Sequence, residues 1–269
     1  MRTVSAAMAR EGSNVSAERE GPVALVTLLR SQALNVLSVG MTAALTDIFE
    51  RLSQDTAVRV VIVRAQEGRA FCAGADLKEV RGMSQKALTA RREGIRRMLR
   101  AVRQLAQPSI ASVFGFALGG GCELALSCDL VVAAEDAEFG FPELRVGAIP
   151  GGGGTRLLRE AIGARRSTEL LFTARRVDAG EAYHLGLASR VVPRSELDGT
   201  SMEIALKICL ASPTALRITK RVMHGSTGCD ELAAEALEDQ GWTEASRTPD
   251  YVEGLTAFAE KRPPRWTDR

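Results

Sequence analysis

Gly115–Thr155 reads GFALGGGCELALSCDLVVAAEDAEFGFPELRVGAIPGGGGT and holds two glycine clusters and two glutamates in unusual settings. The apolar run from Ser109 to Leu118 leads into Gly119, Gly120 and Gly121, after which Glu123-Leu-Ala-Leu-Ser127 has helical character. The order is strand, tight glycine turn, helix start. Three glycines let a ligand come close to the backbone, and the N–H groups of a helix's first turn have no partner within the helix. Negative charge developing on a ligand oxygen is therefore stabilised at this turn. Glu123 falls in that first turn. Glu143 follows in Phe139-Gly-Phe-Pro-Glu143, where the proline blocks helix continuation and the apolar neighbours exclude water. Two carboxyl groups and an anion-stabilising turn are the parts of an acid/base site.

Outward from this segment, Val23 to Leu29 and Val58 to Arg64 are β-branched apolar runs of strand length. Between them Val39 to Leu52 has helical spacing, with Leu45, Ile48, Phe49 and Leu52 on one face. Strand, helix, strand predicts parallel pairing under a covering helix, and so an α/β fold. Phe71-Cys-Ala-Gly-Ala-Asp-Leu-Lys78 leaves the second strand as a small-residue turn whose N–H groups can reach a ligand. Ser84 to Ala106 is predicted as a long amphipathic helix, with Ile95, Leu99, Val102 and Ala106 on an apolar stripe. Arg92, Arg96, Arg100 and Arg103 form a basic stripe on it, and a solvated face and a phosphate-facing role both account for that stripe.

Ser109 to Phe116 and Leu130 to Ala134 are the next predicted strands. Past Thr155 the pattern turns helical, apart from an extended Leu187 to Val192 that ends at Pro193. Helices are predicted over Met202 to Leu210, Pro213 to Met223, Asp230 to Ser246 and Pro249 to Lys261. A boundary near Pro193 separates a core, 21–193, from a helical C-terminal region, 194–269. Residues 1–20 are read as a disordered leader, with Met8 as an alternative start. No internal repeat is visible in the sequence.

The 269 residues carry a formal net charge of +2, which gives no bulk electrostatic attraction to nucleic acid or to an anionic membrane. The apolar runs are too short to span a bilayer. Five widely spaced cysteines, Cys72, Cys122, Cys128, Cys209 and Cys229, read as reduced thiols, and a cytoplasmic location is expected. Two histidines, His184 and His224, far apart, support neither a histidine zinc site nor a Ser-His-Asp triad, so no metal is expected. A dinucleotide fingerprint after the first strand is missing, as is the Gly-Lys-Ser/Thr ending that would make Gly151–Gly154 a phosphate loop. Neither NAD nor flavin is expected.

Four linked motifs resemble the crotonase family, the enoyl-CoA hydratase/isomerase superfamily. They are Phe71 to Lys78, Gly115 to Ala125, Phe139 to Glu143 and Ile149-Pro-Gly-Gly-Gly-Gly-Thr155. Arg30-Ser-Gln-Ala-Leu-Asn35 and Phe258-Ala-Glu-Lys-Arg-Pro-Pro-Arg-Trp266 are similar to its landmarks at the two ends. The resemblance covers about Val23 to Trp266. It implies a spiral of strand-strand-helix (ββα) repeats with a helical C-terminal trimerisation region, assembled as a homotrimer or a dimer of trimers. It implies an acyl-CoA substrate and no separate cofactor, because the coenzyme A is part of the thioester.

In the resemblance, the N–H groups of Ala75 and Gly120 match an oxyanion hole for the thioester carbonyl. Arg30, Ala33 and Leu34 match positions along the coenzyme's adenine and pyrophosphate, with Asp76, Leu77 and Lys78 nearby. Phe258 and Lys261 match residues that close over the nucleotide, often from a neighbouring subunit. Glu123 matches the group that activates water for attack at the β-carbon, and Glu143 the group that handles the α-carbon proton. Hydration needs two carboxyls because water loses a proton while the α-carbon gains one. The implied activity is addition of water to a 2-trans-enoyl-CoA. Isomerisation, hydrolysis and decarboxylation are the alternatives on the same scaffold, and an RNA-binding role is the alternative from another class. Ser31 stands where the family usually has proline, and Thr155-Arg-Leu-Leu where Thr-Gln-Arg-Leu is commoner. The tail resembles the branch that includes methylglutaconyl-CoA hydratases and AU-rich-RNA-binding members.

Overall fold

In the computed structural model, which describes residues 14–267, the chain threads two sheets in repeated turns. In chain order the elements begin with β1 (Val15–Glu20), β2 (Val23–Leu28), α1 (Val39–Leu52), β3 (Val60–Ala65), β4 (Ala70–Cys72), α2 (Leu77–Val80) and α3 (Gln85–Arg103). They continue with β5 (Ser109–Val113), β6 (Phe116–Leu118), α4 (Gly120–Ser127), β7 (Leu130–Ala134), β8 (Glu138–Gly140), α5 (Gly154–Ile162) and α6 (Ala164–Thr173). Last come β9 (Arg176–Asp178), α7 (Ala179–Leu185), β10 (Arg190–Val192), α8 (Leu197–Ile208), α9 (Pro213–Ser226), α10 (Glu231–Ser246) and α11 (Pro249–Ala259). The first sheet runs β1-β2-β3-β5-β7-β10 and the second β4-β6-β8-β9. Three turns, β3-β4-α3, β5-β6-α4 and β7-β8-α5, each give one strand to each sheet and then a helix. This is the ββα repeat, and it is invisible in the sequence because the second-sheet strands are three residues long.

The larger sheet is buried on both faces, which is why β2 and β3 read as nearly unbroken apolar runs. Val26, Val61, Val63, Ala111 and Val131 face α1, α3 and α4 in the main core. The alternate residues Leu25, Val60, Ile62, Ile110 and Val132 pack with Leu197 and Ala205 of α8. The chain therefore returns past Pro193 to cover the sheet's second face before the remaining helices extend.

β2 pairs β3 in parallel, with Val26 opposite Val63, as the strand-helix-strand order predicts. α1 has the predicted bounds and is capped by Ser38, whose side chain accepts the Met41 N–H. Two expectations are corrected. The leader does not extend to residue 20: Val15–Glu20 is an antiparallel edge strand whose Val15 and Ala17 point inward, a period-2 signal masked by Glu18, Arg19 and Glu20. Residues 1–13 of the expected leader lie outside the described residues. Ser109 to Phe116 is two strands, β5 and β6, because Gly115 (φ +53°) turns the chain from the first sheet to the second. A Cβ at Gly115 would lie 2.2 Å from the Arg69 carbonyl oxygen, so only glycine fits that crossing.

Candidate active site

The glycine turn is set by contact between two successive ββα units. A Cβ on Gly121 would lie 1.9 Å from the Cys72 carbonyl oxygen, and one on Gly74 2.8 Å from that of Leu118. Glycine at both positions lets the start of α4 lie directly against the end of β4. That brings Ala75 beside Gly120, forty-five positions away in sequence. Flanking N–H groups are consumed: Ala73 donates to Leu34 O, Asp76 to Leu37 O and Gly119 to Gly140 O. Those of Ala75 and Gly120 have no acceptor among the described residues, and Gly120 opens α4, where the helix supplies none. The two predicted oxyanion-hole donors thus sit together.

Glu123 is 2 % exposed and lies one turn into α4. Its Oε1 accepts the N–H of Gly152 at 2.8 Å and that of Gly154 at 2.8 Å. Burial raises its pKa, and the N–H groups of Gly154, Gly152 and Gly153 and the charge of Arg103 oppose that rise. The second glycine cluster therefore cradles a carboxylate, a purpose that its sequence does not disclose. A Cβ at Gly152 would lie 2.5 Å from Glu123 Oε2, so the cradle is closed to any larger residue.

Glu143 sits on the short 3-10 helix Pro142–Val146 that follows β8. A Cβ on Gly119 would lie 2.6 Å from Glu143 Oε1, while one on Gly120 would lie 3.9 Å from Glu123 Oε2. The two carboxyls therefore bracket the Gly119–Gly120 turn. Glu143 Oε2 is buried with no hydrogen-bond partner among the described residues. Burial, reinforced by the nearby charge of Glu123, pushes the Glu143 carboxyl up to about 7. Burial raises both carboxyls; backbone donors partly offset the rise at Glu123, while Glu143 is poised to hold its proton near neutrality.

The loop after β2 and the turn after β4 form a second group. The Arg30 guanidinium donates to Asp76 Oδ2 at 2.7 Å and to Val36 O at 3.2 Å. Arg30, with the hydrogen bonds of the α2 N-terminus, holds the Asp76 carboxyl below the usual range. Asp76 Oδ1 caps α2 through the Lys78 N–H at 3.1 Å and the Glu79 N–H at 3.4 Å. Ala33 and Leu34 lie in the same loop, and Leu77 is 58 % exposed beside it. Six predicted contact positions, Arg30, Ala33, Leu34, Asp76, Leu77 and Lys78, are thereby assembled around one ion pair.

Phe258 and Lys261 are not brought to this group. Phe258 is 86 % exposed near the end of α11, in the C-terminal helical region, and Lys261 is exposed just beyond it. Asn35 closes the Arg30–Asn35 motif, and its part is structural. It is fully buried, accepts the Arg30 N–H at 2.8 Å and donates to Ala70 O at 3.0 Å, tying the loop to β4. Leu34 and Asn35 both have φ near +52°, and asparagine is among the few non-glycine residues suited to that conformation. Arg103 does more than its place in a basic stripe suggests. It donates to Ser127 Oγ at 3.3 Å, and Ser127 Oγ donates to the Glu123 carbonyl at 2.7 Å.

Within the basic stripe Arg103 turns toward α4, while Arg97, which lies outside the stripe, forks onto Glu50 of α1. No helix among the described residues is long and apolar enough to cross a membrane.

Comparison with known proteins places this geometry among relatives. The family model described as enoyl-CoA hydratase/isomerase matches residues 18–269. A short-chain-enoyl-CoA hydratase of Clostridium acetobutylicum is 39 % identical over 254 residues, 94 % of this chain and 97 % of that protein. The human mitochondrial methylglutaconyl-CoA hydratase is 36 % identical, covering 93 % of this chain and 75 % of that protein. The crystal structure of an enoyl-CoA hydratase from Bacillus anthracis superposes with a TM-score of 0.93 at 38 % identity, covering 96 % of this chain and all of that one.

Proposed function

The chain belongs to the enoyl-CoA hydratase/isomerase family, and we infer that its reaction is that of an enoyl-CoA hydratase, adding water across the 2,3 double bond of a 2-trans-enoyl-CoA. The observation that carries the course of the reaction is the pair of carboxyls bracketing the Gly119–Gly120 turn, one cradled by N–H groups and one unpartnered. Glu123 takes a proton from water as the oxygen attacks the β-carbon. Electron density moves through the double bond onto the thioester oxygen, held by the Ala75 and Gly120 N–H groups. Removing one such donor typically costs about 10²–10³ in rate. The α-carbon then takes its proton from Glu143, giving the 3-hydroxyacyl-CoA. Proton exchange with solvent resets the two carboxyls. The balance closes with these groups, so no further cofactor is invoked.

Arg30 and Lys78 supply the positive charge that attracts the coenzyme's phosphates. Retention of two carboxyls favours hydration over double-bond isomerisation, for which one acid suffices. Exposed Leu232, Trp242, Val252 and Leu255 on α10 and α11 support assembly into a homotrimer or a dimer of trimers. In that assembly Phe258 and Lys261 of one copy close over the nucleotide held by another. Five free cysteines, three of them buried, favour a cytoplasmic setting. The product, a 3-hydroxyacyl thioester, fits a step of fatty-acid β-oxidation. The test is hydration of crotonyl-CoA, followed by loss of the enoyl absorbance and by product identification. Wild-type-like turnover in both Glu123→Gln and Glu143→Gln would sink the assignment. A product other than the 3-hydroxyacyl thioester would move the chain to another reaction of the scaffold.

A further inference from the structure

A large cavity lies at the C-terminal end of α4, about 12 Å along that eight-residue helix from the glycine turn. Its volume is about 1040 Å³ and its walls come from α3, α4, α5, α9 and α10. Six permanent cations line it, Arg100, Arg103, Arg156, Arg217, Lys220 and Arg221, against three carboxylates, those of Asp129, Glu160 and Glu244. Each carboxylate is already engaged. Lys220 and His224 hold Asp129 at 2.7 and 2.9 Å, Arg156 forks onto Glu160, and Arg221 pairs with Glu244.

Positive charge is left over, and it is concentrated at one wall. The Arg100 guanidinium has no acceptor among the described residues, and Arg103 has only the Ser127 hydroxyl. Burial disfavours the charge on Arg103, and Arg156 and Arg100 repel it further. Like charges held together in a half-buried wall cost free energy that an anion would recover. Guanidinium forks match the oxygens of phosphate in paired hydrogen bonds. The concave shape suits a small molecule rather than a nucleic-acid strand, and the volume is at the upper end of ordinary ligand sites.

We propose that this cavity is an anion site for a compact, multiply charged phosphate of the pyrophosphate class, distinct from the thioester site. Arg100, Arg103 and Arg156 are its principal ligands. The proposal does not depend on the hydratase reading, since its readout is binding alone.

Calorimetric titration of the full-length protein with inorganic pyrophosphate tests it. One saturable site per chain is expected, weakening as salt is raised. Arg100→Gln/Arg103→Gln should lower the affinity by roughly tenfold or more, given the strength of hydrogen bonds between charged groups. Glu160→Gln frees Arg156 and should tighten binding severalfold. Absence of saturable heat with the wild-type protein overturns the proposal. So does unchanged affinity in a double variant that melts like the wild type, or full displacement by free coenzyme A, which would put the anion in the thioester site. If the double variant does not fold, Glu160→Gln decides, and unchanged or weaker binding there is equally fatal.

Discussion

Glu123 Oε1 accepts the backbone N–H of Gly152 at 2.8 Å, joining the two glycine clusters of one sequence segment across the active site. The bond fixes the carboxylate and favours its charged form. Gly152→Ala would place a methyl 2.5 Å from Glu123 Oε2 and 2.3 Å from Leu99 Cδ1, so both side chains must give way. Turnover of a short enoyl-CoA should fall by about ten- to a hundredfold, the scale of an ångström's misplacement of a catalytic group. Stability should fall by about 1–3 kcal/mol. Steady-state kinetics beside thermal melting separates the two effects.

In the proposed mechanism Glu143 sets the pH dependence of the reaction. Its carboxyl is pushed up to about 7, and hydration needs it protonated, so kcat/KM should fall as pH rises through about 7. Glu143→Gln should remove that limb together with about 10²–10⁴ of the rate. A pH–rate profile that keeps the limb in the variant would assign it to another group.

The same carboxyl shapes stability. A raised carboxyl pKa means that the fold favours the protonated form, so the gain is complete below the unfolded value of 4.5 and is lost as pH rises through about 7. Above pH 7 a charged Glu143 is a burden, and Glu143→Gln should be more stable than the wild type by about 1–3 kcal/mol. Chemical denaturation at several pH values should show that margin shrinking on acidification.

Asp76→Asn keeps the shape of the α2 cap and removes the charge that holds Arg30. With this loop holding the coenzyme as proposed, its loosening should raise KM for acyl-CoA by about tenfold with kcat changed much less. Equal losses in kcat and kcat/KM would tie the pair to the transition state instead.

Lys220 is buried against Asp129 and the Gln107 carbonyl, anchoring α9 to the start of β5. Burial opposes the charge on Asp129, but His224 and Lys220 outweigh it and hold the carboxyl below its usual range. Lys220→Met strands that carboxylate and should destabilise the fold by about 3–5 kcal/mol. Adding Asp129→Asn should restore part of the loss in urea denaturation, because the uncompensated charge is gone.

The sequence by itself determined whatever depends on near neighbours. α1, with apolar residues at helical spacing, and the long runs of β2 and β3 could be read directly, as could the Gly119–Gly121 turn with Glu123 just inside its helix. Motif resemblance then supplied Ala75 and the candidate coenzyme loop. Tertiary structure alone decided the rest. β4, β6 and β8 are three residues each, too short for periodicity to register, and exist because parallel neighbours complete their hydrogen bonds. Arg92, Arg96, Arg100 and Arg103 read as one basic stripe on a helical wheel, yet packing turns Arg103 toward α4, where it donates to Ser127. The carboxyl of Glu143 shifts because distant segments remove its water, and that of Glu123 is held by donors 29 and 31 residues away. Desolvation and hydrogen-bond geometry sum over everything that surrounds a group in space, and no local pattern of residues encodes that sum.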